Sequence, residues 1–370
     1  MRIQRDVGLA EWCTLGLGGA ARWFHRAGDE SAVQQALGWA RDHNMPVHVL
    51  GSGSNVVFSD AGFDGLVLQI DIRGIEQRSA QDRRMFFAGA GEPWDEFVAL
   101  TVEAGCGGLE CLSGIPGLVG GTPVQNVGAY GQDVSGVITK LRAIDRKSGA
   151  VMVLAGGECG FGYRSSRFKR DDRYIVSRVE FGLLPGVPPT VTYADVVSYF
   201  EHIDQPPSLG DVREAILTIR RRKGMVIEPG NPANRSVGSF FVNPVIASGH
   251  FAEIRGREGG NATIPNYPVG ATAVKVPAAW LIERAGFPKG YTRGAVGVSP
   301  FQAQAIVNHG GATAGDVLAL AADIKRAVWN TFSIGIVPEP VFVGFPPSPE
   351  LQWLLESPSP GDRHPRKDRG

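Results

Sequence analysis

Three short segments carry side chains that could do chemistry. In GYRSSRF, residues 162–168, an aromatic ring, a guanidinium and two hydroxyls fall together. Arg164 could fork onto a carboxylate or a developing enolate oxygen. Residue types alone favour the plainer reading, a surface arginine in a turn. In SVGSFFVNP, residues 236–244, Ser239 stands between a glycine and two phenylalanines. It reads as an apolar-walled hydroxyl whose proton has few competitors, or as an ordinary serine in a strand turn. No GxSxG pattern surrounds it, so an acyl-transfer nucleophile is not indicated. In GIVPEPVFVG, residues 335–344, Glu339 is a lone acid in an apolar run. A buried, unpaired carboxylate is costly and therefore often functional. The flanking prolines equally allow an edge-strand acid that faces water.

Two further segments could hold a ligand with backbone alone. Residues 113–135, SGIPGLVGGTPVQNVGAYGQDVS, contain six glycines and one charge, Asp133. Glycine and proline both penalise a helix interior. Ile115, Leu118, Val119, Val124, Val127 and Tyr130 need burial, so the segment is not a loose linker either. What remains is a tightly folded backbone surface. Glycine allows positive φ and a close approach of the main chain, and successive bare N–H groups form a concavity for phosphate oxygens. Upstream, a strand over residues 47–50 empties into Gly51-Ser52-Gly53-Ser54-Asn55, a second phosphate cradle. Two such loops in one chain point to a diphosphate cofactor.

The chain around them has 370 residues, 37 basic and 37 acidic, with 43% apolar and 20% charged side chains. That is room for two or three domains and a substantial core. Balanced charge gives no general pull toward nucleic acid or membrane, so an anionic ligand must be held by local geometry. The 50 glycines are about twice the usual ~7% and gather in the ligand-like loops. Cys13, Cys106, Cys111 and Cys159 form no CxxC pair; neither zinc nor a disulfide framework is expected, and no metal site is assigned. No run reaches the ~18 apolar residues of a membrane span, and a cytoplasmic location is expected.

Periodicity supplies the elements that must position these segments. Residues 29–44 read as a helix with Asp29 as N-cap and Val33, Ala36, Leu37 and Ala40 on one face. Residues 93–105 and 208–222 are further helices, and 313–330 is the longest. Ser299-Pro300 is expected to start another, with Pro at N1. Strands are expected at 66–70, 85–88, 141–145, 151–154 and 174–181. The last 14 residues are polar and Pro-rich and are expected to be disordered.

GSGSN followed by SGIPGLVGGTPVQNVGAYGQDVS resembles the flavin-binding core of the UDP-N-acetylenolpyruvoylglucosamine reductase (UDP-N-acetylmuramate dehydrogenase) family. The Tyr-Arg-x-Ser, Gly-Ser-Phe-Phe and Pro-Glu segments extend the likeness. The resemblance implies an α+β chain: a p-cresol methylhydroxylase-like two-part FAD-binding fold plus a separate α/β substrate domain. The implied domains are 1–68, completed by a strand at 333–345; 69–222; and 223–332, with 346–370 as a disordered tail. It implies non-covalent FAD on Gly51, Ser52, Gly53, Ser54, Asn55, Ser113, Gly114, Ile115, Pro116, Gly117, Gly120, Gly121, Gln125, Asn126, Gly128, Ala129 and Tyr130. NADPH is the implied hydride donor, and UDP-N-acetylglucosamine enolpyruvate the substrate, reduced to UDP-N-acetylmuramate for peptidoglycan synthesis.

By the same resemblance Arg164 faces the enolpyruvyl carboxylate, Ser239 protonates the substrate carbon and Glu339 belongs to the active site. Tyr163, Tyr193, Lys223, Asn243 and Gln302 become substrate contacts. Without it, Tyr193 is an ordinary loop tyrosine, Lys223 complements a helix dipole and Gln302 completes a capping box with Ser299. The tyrosine-loop subgroup is the nearest match. Two departures stand out: Val242, where many relatives carry lysine, and Pro340 after the acid. The implied protein is a monomer that binds neither nucleic acid nor membrane. Two rivals remain at this level: an FAD oxidase of the same superfamily acting on an alcohol or hydroxy acid, and a flavin-free nucleotide-binding regulatory protein.

Overall fold

The computed structural model describes residues 1–228, 234–259 and 263–356. The chain divides into two compact units. The first comprises Met1–Val7, Ala20–Gly53 and Phe63–Glu228; the second comprises Gly8–Gly19, Ser54–Gly62 and Pro229–Gly370.

Within the first unit, Ala20–Ala27 and Val47–Leu50 flank Phe63–Ile70 in a parallel sheet. The helix Glu30–Asp42 lies on it. Asp29 accepts from the Ala32 N–H, as its type and position predict, and Val33, Ala36, Leu37 and Ala40 are buried. They pack against Leu66, Leu68 and Ile70. Antiparallel strands form a second sheet, ordered Val151–Ala155, Ile138–Asp145, Tyr174–Pro185, Arg83–Gly89 and Ile75–Ala80. The helix Trp94–Glu103 seats Trp94, Phe97, Val98 and Thr101 in its core, with the Phe97 and Phe181 rings 4.8 Å apart. Full burial of one such ring is worth roughly 1.5–3 kcal/mol, so this aromatic cluster anchors the surface that the glycine-rich segment covers. The helix Leu209–Arg222 closes the unit with a Ser208–Asp211 capping box.

In the second unit, Val56–Phe58 pairs in parallel with Val341–Val343. The C-terminal strand therefore returns to a segment early in the chain. A three-stranded sheet holds Thr292–Arg293, Val296–Val298 and Ile306–Asn308. Behind it runs Ala314–Phe332, capped by Thr313 and Asp316.

Two expectations are corrected here. No helix starts at Ser299-Pro300. The Ser299 hydroxyl accepts from the Phe301 N–H two residues on, a local turn that competes with a helix start, and the chain goes directly to the strand Ile306–Asn308. Disorder from residue 346 is also wrong as far as 356, because Pro349–Leu355 is a helix that buries Trp353 and Leu354. Lys325, itself fully buried, donates from Nζ to the carbonyls of Trp353 and Leu354 at 2.6 and 2.9 Å. It thereby satisfies acceptors that a helix C-terminus leaves open. The final 14 residues lie outside the described ones. All four cysteines are buried and unbridged. No helix among the described residues is long and apolar enough to cross a membrane.

Candidate active site

The glycine-rich segment is held from beneath by buried polar side chains. Glu110, 1% exposed, accepts from the Gly108 and Thr190 amides and from Gln132 Nε2, at 2.7–2.9 Å. Gln132 in turn accepts the Cys111 N–H at 2.8 Å. The Gly114 amide donates to Asp95, whose other contacts are both guanidinium nitrogens of Arg213, at 2.6 and 2.9 Å. Burial pushes the Asp95 carboxyl up, but Arg213 and the Gly114 N–H outweigh it and hold it below the ordinary range. Gly120 is required by packing: a Cβ there would lie 2.5 Å from Ala90 Cβ, whereas one on Gly121 would meet nothing within 4 Å. The segment is thus tight at Gly120 and open at Gly121, and the amides of Gly120 and Gly121 are already bonded to Ala90 O and Leu118 O. A Cβ on Gly51 would lie 3.9 Å from Leu118, so the end of the first glycine loop faces the second.

Arg164 belongs to this surface. It has φ +50 in a tight turn closed by reciprocal Gly162 and Ser165 hydrogen bonds. Three bonds stitch the turn to the glycine-rich segment. Arg164 Nη2 donates to Gly128 O at 2.7 Å, Asn126 Nδ2 to Gly162 O at 3.0 Å, and Ser166 Oγ to Val124 O at 2.8 Å. Tyr163 is exposed, with the guanidinium over its ring at 5.4 Å. An arginine held in this way is not a free surface side chain.

Tyr130, at the far end of the segment, collects three of the remaining residues. Tyr193 stands at the start of the helix Ala194–Phe200 and meets the Tyr130 ring edge-on at 5.3 Å. Lys223 Nζ lies 5.7 Å above that ring and pairs with Asp195. Sequence reading missed the third, Arg220. It is 7% exposed, donates to Met225 O at 3.0 Å and hydrogen-bonds Tyr130. Its Nε has no partner. Burial lowers its pKa against the pull of Tyr130 and Asp95. A Cβ on Gly114 would sit 3.4 Å from that Nε. The only signal for Arg220 in the sequence was its place beside Ile216 and Ile219 on the buried face of its helix.

Ser54, Asn55, Ser239, Asn243, Gln302 and Glu339 belong to the second unit. There Glu339 N–H donates to Phe240 O at 2.8 Å and Val242 N–H to Val337 O at 3.0 Å. Ser239 and Glu339 therefore ride on two adjacent chain segments, each one residue or less from a shared hydrogen bond. Asn55 joins them: Nδ2 donates to Glu339 O at 3.3 Å, and its carbonyl accepts the Val341 N–H. Asn243 Oδ1 accepts the Ala278 N–H at 2.8 Å. Gln302 sits in the turn before Ile306, its carbonyl accepting the Ala305 N–H, and forms no capping box.

These residues fit FAD. A glycine-rich backbone without charged side chains over residues 113–130 suits a diphosphate, and a buried guanidinium with one unsatisfied N–H suits an anionic oxygen. The FAD binding domain family matches residues 22–155. The UDP-N-acetylenolpyruvoylglucosamine reductase C-terminal domain family matches residues 231–343. UDP-N-acetylenolpyruvoylglucosamine reductase of Thermobifida fusca is 45% identical over 351 residues, covering 92% of this chain and 98% of that protein. The chain belongs to the UDP-N-acetylenolpyruvoylglucosamine reductase family.

The Streptomyces coelicolor reductase is 43% identical and covers 92% of the chain and 90% of its own length. The crystal structure of the Thermus caldophilus reductase superposes with a TM-score of 0.62 at 25% identity, over 93% of this chain and 99% of that one. The α+β, FAD-binding fold expected from the sequence is thereby established. In this chain the glycine-rich segment lies inside the first family match, and Ser239, Asn243, Gln302 and Glu339 lie inside the second. Arg164, Tyr193, Arg220 and Lys223 lie between the two.

Proposed function

We propose that the chain is an FAD-dependent reductase that converts UDP-N-acetylglucosamine enolpyruvate to UDP-N-acetylmuramate, with NADPH as the reductant, in peptidoglycan precursor synthesis. The observation that carries this reading is family membership across nine-tenths of the chain, in a molecule whose glycine surface is stitched to an arginine turn. FAD, when bound, supplies the hydride. The groups that would hold it are the backbone of residues 51–55 and 113–130, with Arg220 for an anionic oxygen.

The substrate needs a hydride on its methylene carbon and a proton on the carbon that bears the carboxylate. Arg164 meets the carboxylate, where negative charge grows during the reaction, with a planar fork. Ser239 gives its hydroxyl proton to the adjacent carbon and is reprotonated from solvent. Glu339, in its protonated form, stabilises the same growing negative charge as Arg164. Tyr163, Tyr193, Lys223, Asn243 and Gln302 hold the nucleotide. The same reading makes the protein a cytoplasmic monomer.

The test is anaerobic. Addition of NADPH to the yellow protein should bleach the flavin spectrum, and subsequent addition of the enolpyruvyl nucleotide should restore it in one turnover. Restoration by oxygen but not by the nucleotide would sink the proposal in favour of an oxidase. A colourless protein that cannot be reconstituted with FAD would sink it altogether.

A further inference from the structure

Asn243 and its neighbours carry an arrangement that the sequence did not announce. Asn243 Oδ1 accepts two hydrogen bonds, from the Ala278 N–H at 2.8 Å and from Gln304 Nε2 at 3.2 Å. A backbone N–H cannot exchange roles with an acceptor. The Ala278 amide therefore dictates which end of the Asn243 side chain is oxygen. Gln304 is 7% exposed and is oriented by the same logic: its Nε2 also donates to Phe241 O, so its amide nitrogen must face these two acceptors. The main-chain carbonyl of Gln304 accepts the Phe240 N–H at 2.7 Å. One glutamine thus grips Phe240, Phe241 and Asn243, three of the four residues that follow Ser239.

We propose that Gln304 is a positioning residue for substrate binding. It locks the Asn243 amide with its oxygen turned inward, so that Asn243 presents only N–H donors to an acceptor oxygen of the bound nucleotide. It also fixes the main chain that carries Ser239. The proposal rests on the reading above in which Asn243 touches substrate. The chemistry follows from the bond count. With Oδ1 occupied twice, Asn243 has donors and no acceptor left, and its ligand partner is an oxygen rather than an N–H group.

The test combines Gln304→Met, Asn243→Ala, the double variant and Ala278→Pro in the FAD-loaded enzyme. Methionine keeps the volume of glutamine and removes the donors. Ala278→Pro removes the other bond to Asn243 Oδ1 at the first position of a helix, where proline is tolerated. Binding of the enolpyruvyl nucleotide to the oxidised enzyme is read from the flavin difference spectrum, and KM and kcat from turnover. Loss of one orienting hydrogen bond should raise Kd and KM roughly tenfold in either Gln304→Met or Ala278→Pro, with a smaller change in kcat. In Asn243→Ala, adding Gln304→Met should cost little more in Kd, because there is no longer an amide to orient. Fully additive effects on Kd, or an unchanged Kd in both Gln304→Met and Ala278→Pro, would overturn the proposal. If Gln304→Met does not fold, Gln304→Leu, which is smaller and equally without donors, is measured in its place. If Asn243→Ala leaves Kd unchanged, the substrate-contact reading of Asn243 fails, separately from the hydrogen-bond geometry.

Discussion

The glycine-rich segment and the Ser239–Glu339 pair solve opposite problems. In residues 113–131 the proposed ligand surface is main chain, and the side chains of Glu110, Gln132 and Asp95 bond to it and its flanks. At Ser239 and Glu339 the proposed working groups are side chains, and the main chain holds the shape through the Phe240–Glu339 and Val242–Val337 hydrogen bonds. A surface that must accept a diphosphate has to be bare and uncharged. A group that must deliver a proton has to project from a rigid backbone. Changes in the first region should therefore cost cofactor, and changes in the second should cost chemistry.

The sharpest way to break this contrast is Ser239→Ala. FAD content should stay normal and NADPH should bleach the flavin at close to the usual rate. Reoxidation by the nucleotide should slow by roughly 10²–10⁴, the worth of a positioned general acid. Stopped-flow absorbance without oxygen reads both steps, and equal slowing of the two would make Ser239 a structural residue.

Arg164→Lys tests the place where the two regions' logics meet, because Arg164 is a side chain anchored on the glycine surface. An ammonium cannot reproduce a planar fork, and turnover should fall by about 10²–10³, as for the loss of one oriented donor at a developing charge. Flavin released by acid precipitation should still amount to one FAD per chain. Near-normal turnover would return Arg164 to an ordinary turn.

Gly120→Ala acts on the first region alone. Its new methyl collides with Ala90, and overpacking of this kind costs typically ~1–3 kcal/mol. Apo-protein titrated with FAD should show weaker binding, and Ala90→Gly should restore part of it. Full FAD affinity in the single variant would mean that the inner packing of the segment does not shape the cofactor surface.

The smallest effect expected is at Asp95. Its carboxyl is held below its ordinary value by Arg213 and Gly114. The stability it contributes is present above the unfolded carboxyl pKa of about 3.9 and is lost as pH falls through the lower folded value. Flavin retention measured from pH 6 downward should therefore decline below about pH 4 in the parent, and Asp95→Asn should flatten that part of the curve. Identical profiles would remove Asp95 from the support of the glycine surface.

Local rules were enough for much of this molecule. Asp29, Ser208 and Thr313 cap the helices that their types and spacing predict, since capping involves only residues three positions apart. The glycine content of residues 113–135 was enough to exclude a long helix and to point to a main-chain surface. Ser299-Pro300 failed under the same rules: a two-residue hydroxyl turn and a helix N-cap look alike until the following residues choose. Helix formation at Pro349–Leu355 depends on Lys325, 24 positions or more upstream, to satisfy its last carbonyls.

What the sequence by itself determined was the set of chemical groups and the local backbone states available to them: periodic apolar faces, caps, and glycines free to take positive φ. Only the tertiary structure decided which of those groups meet. It brought Arg164 onto Gly128, left Arg220 buried with an open Nε, and made Gln304 rather than Gln302 the residue that grips Asn243. The physical reason is range. Dihedral preference and capping act over a few residues, whereas a hydrogen bond between residues 36 or 61 positions apart exists only once packing has fixed both ends.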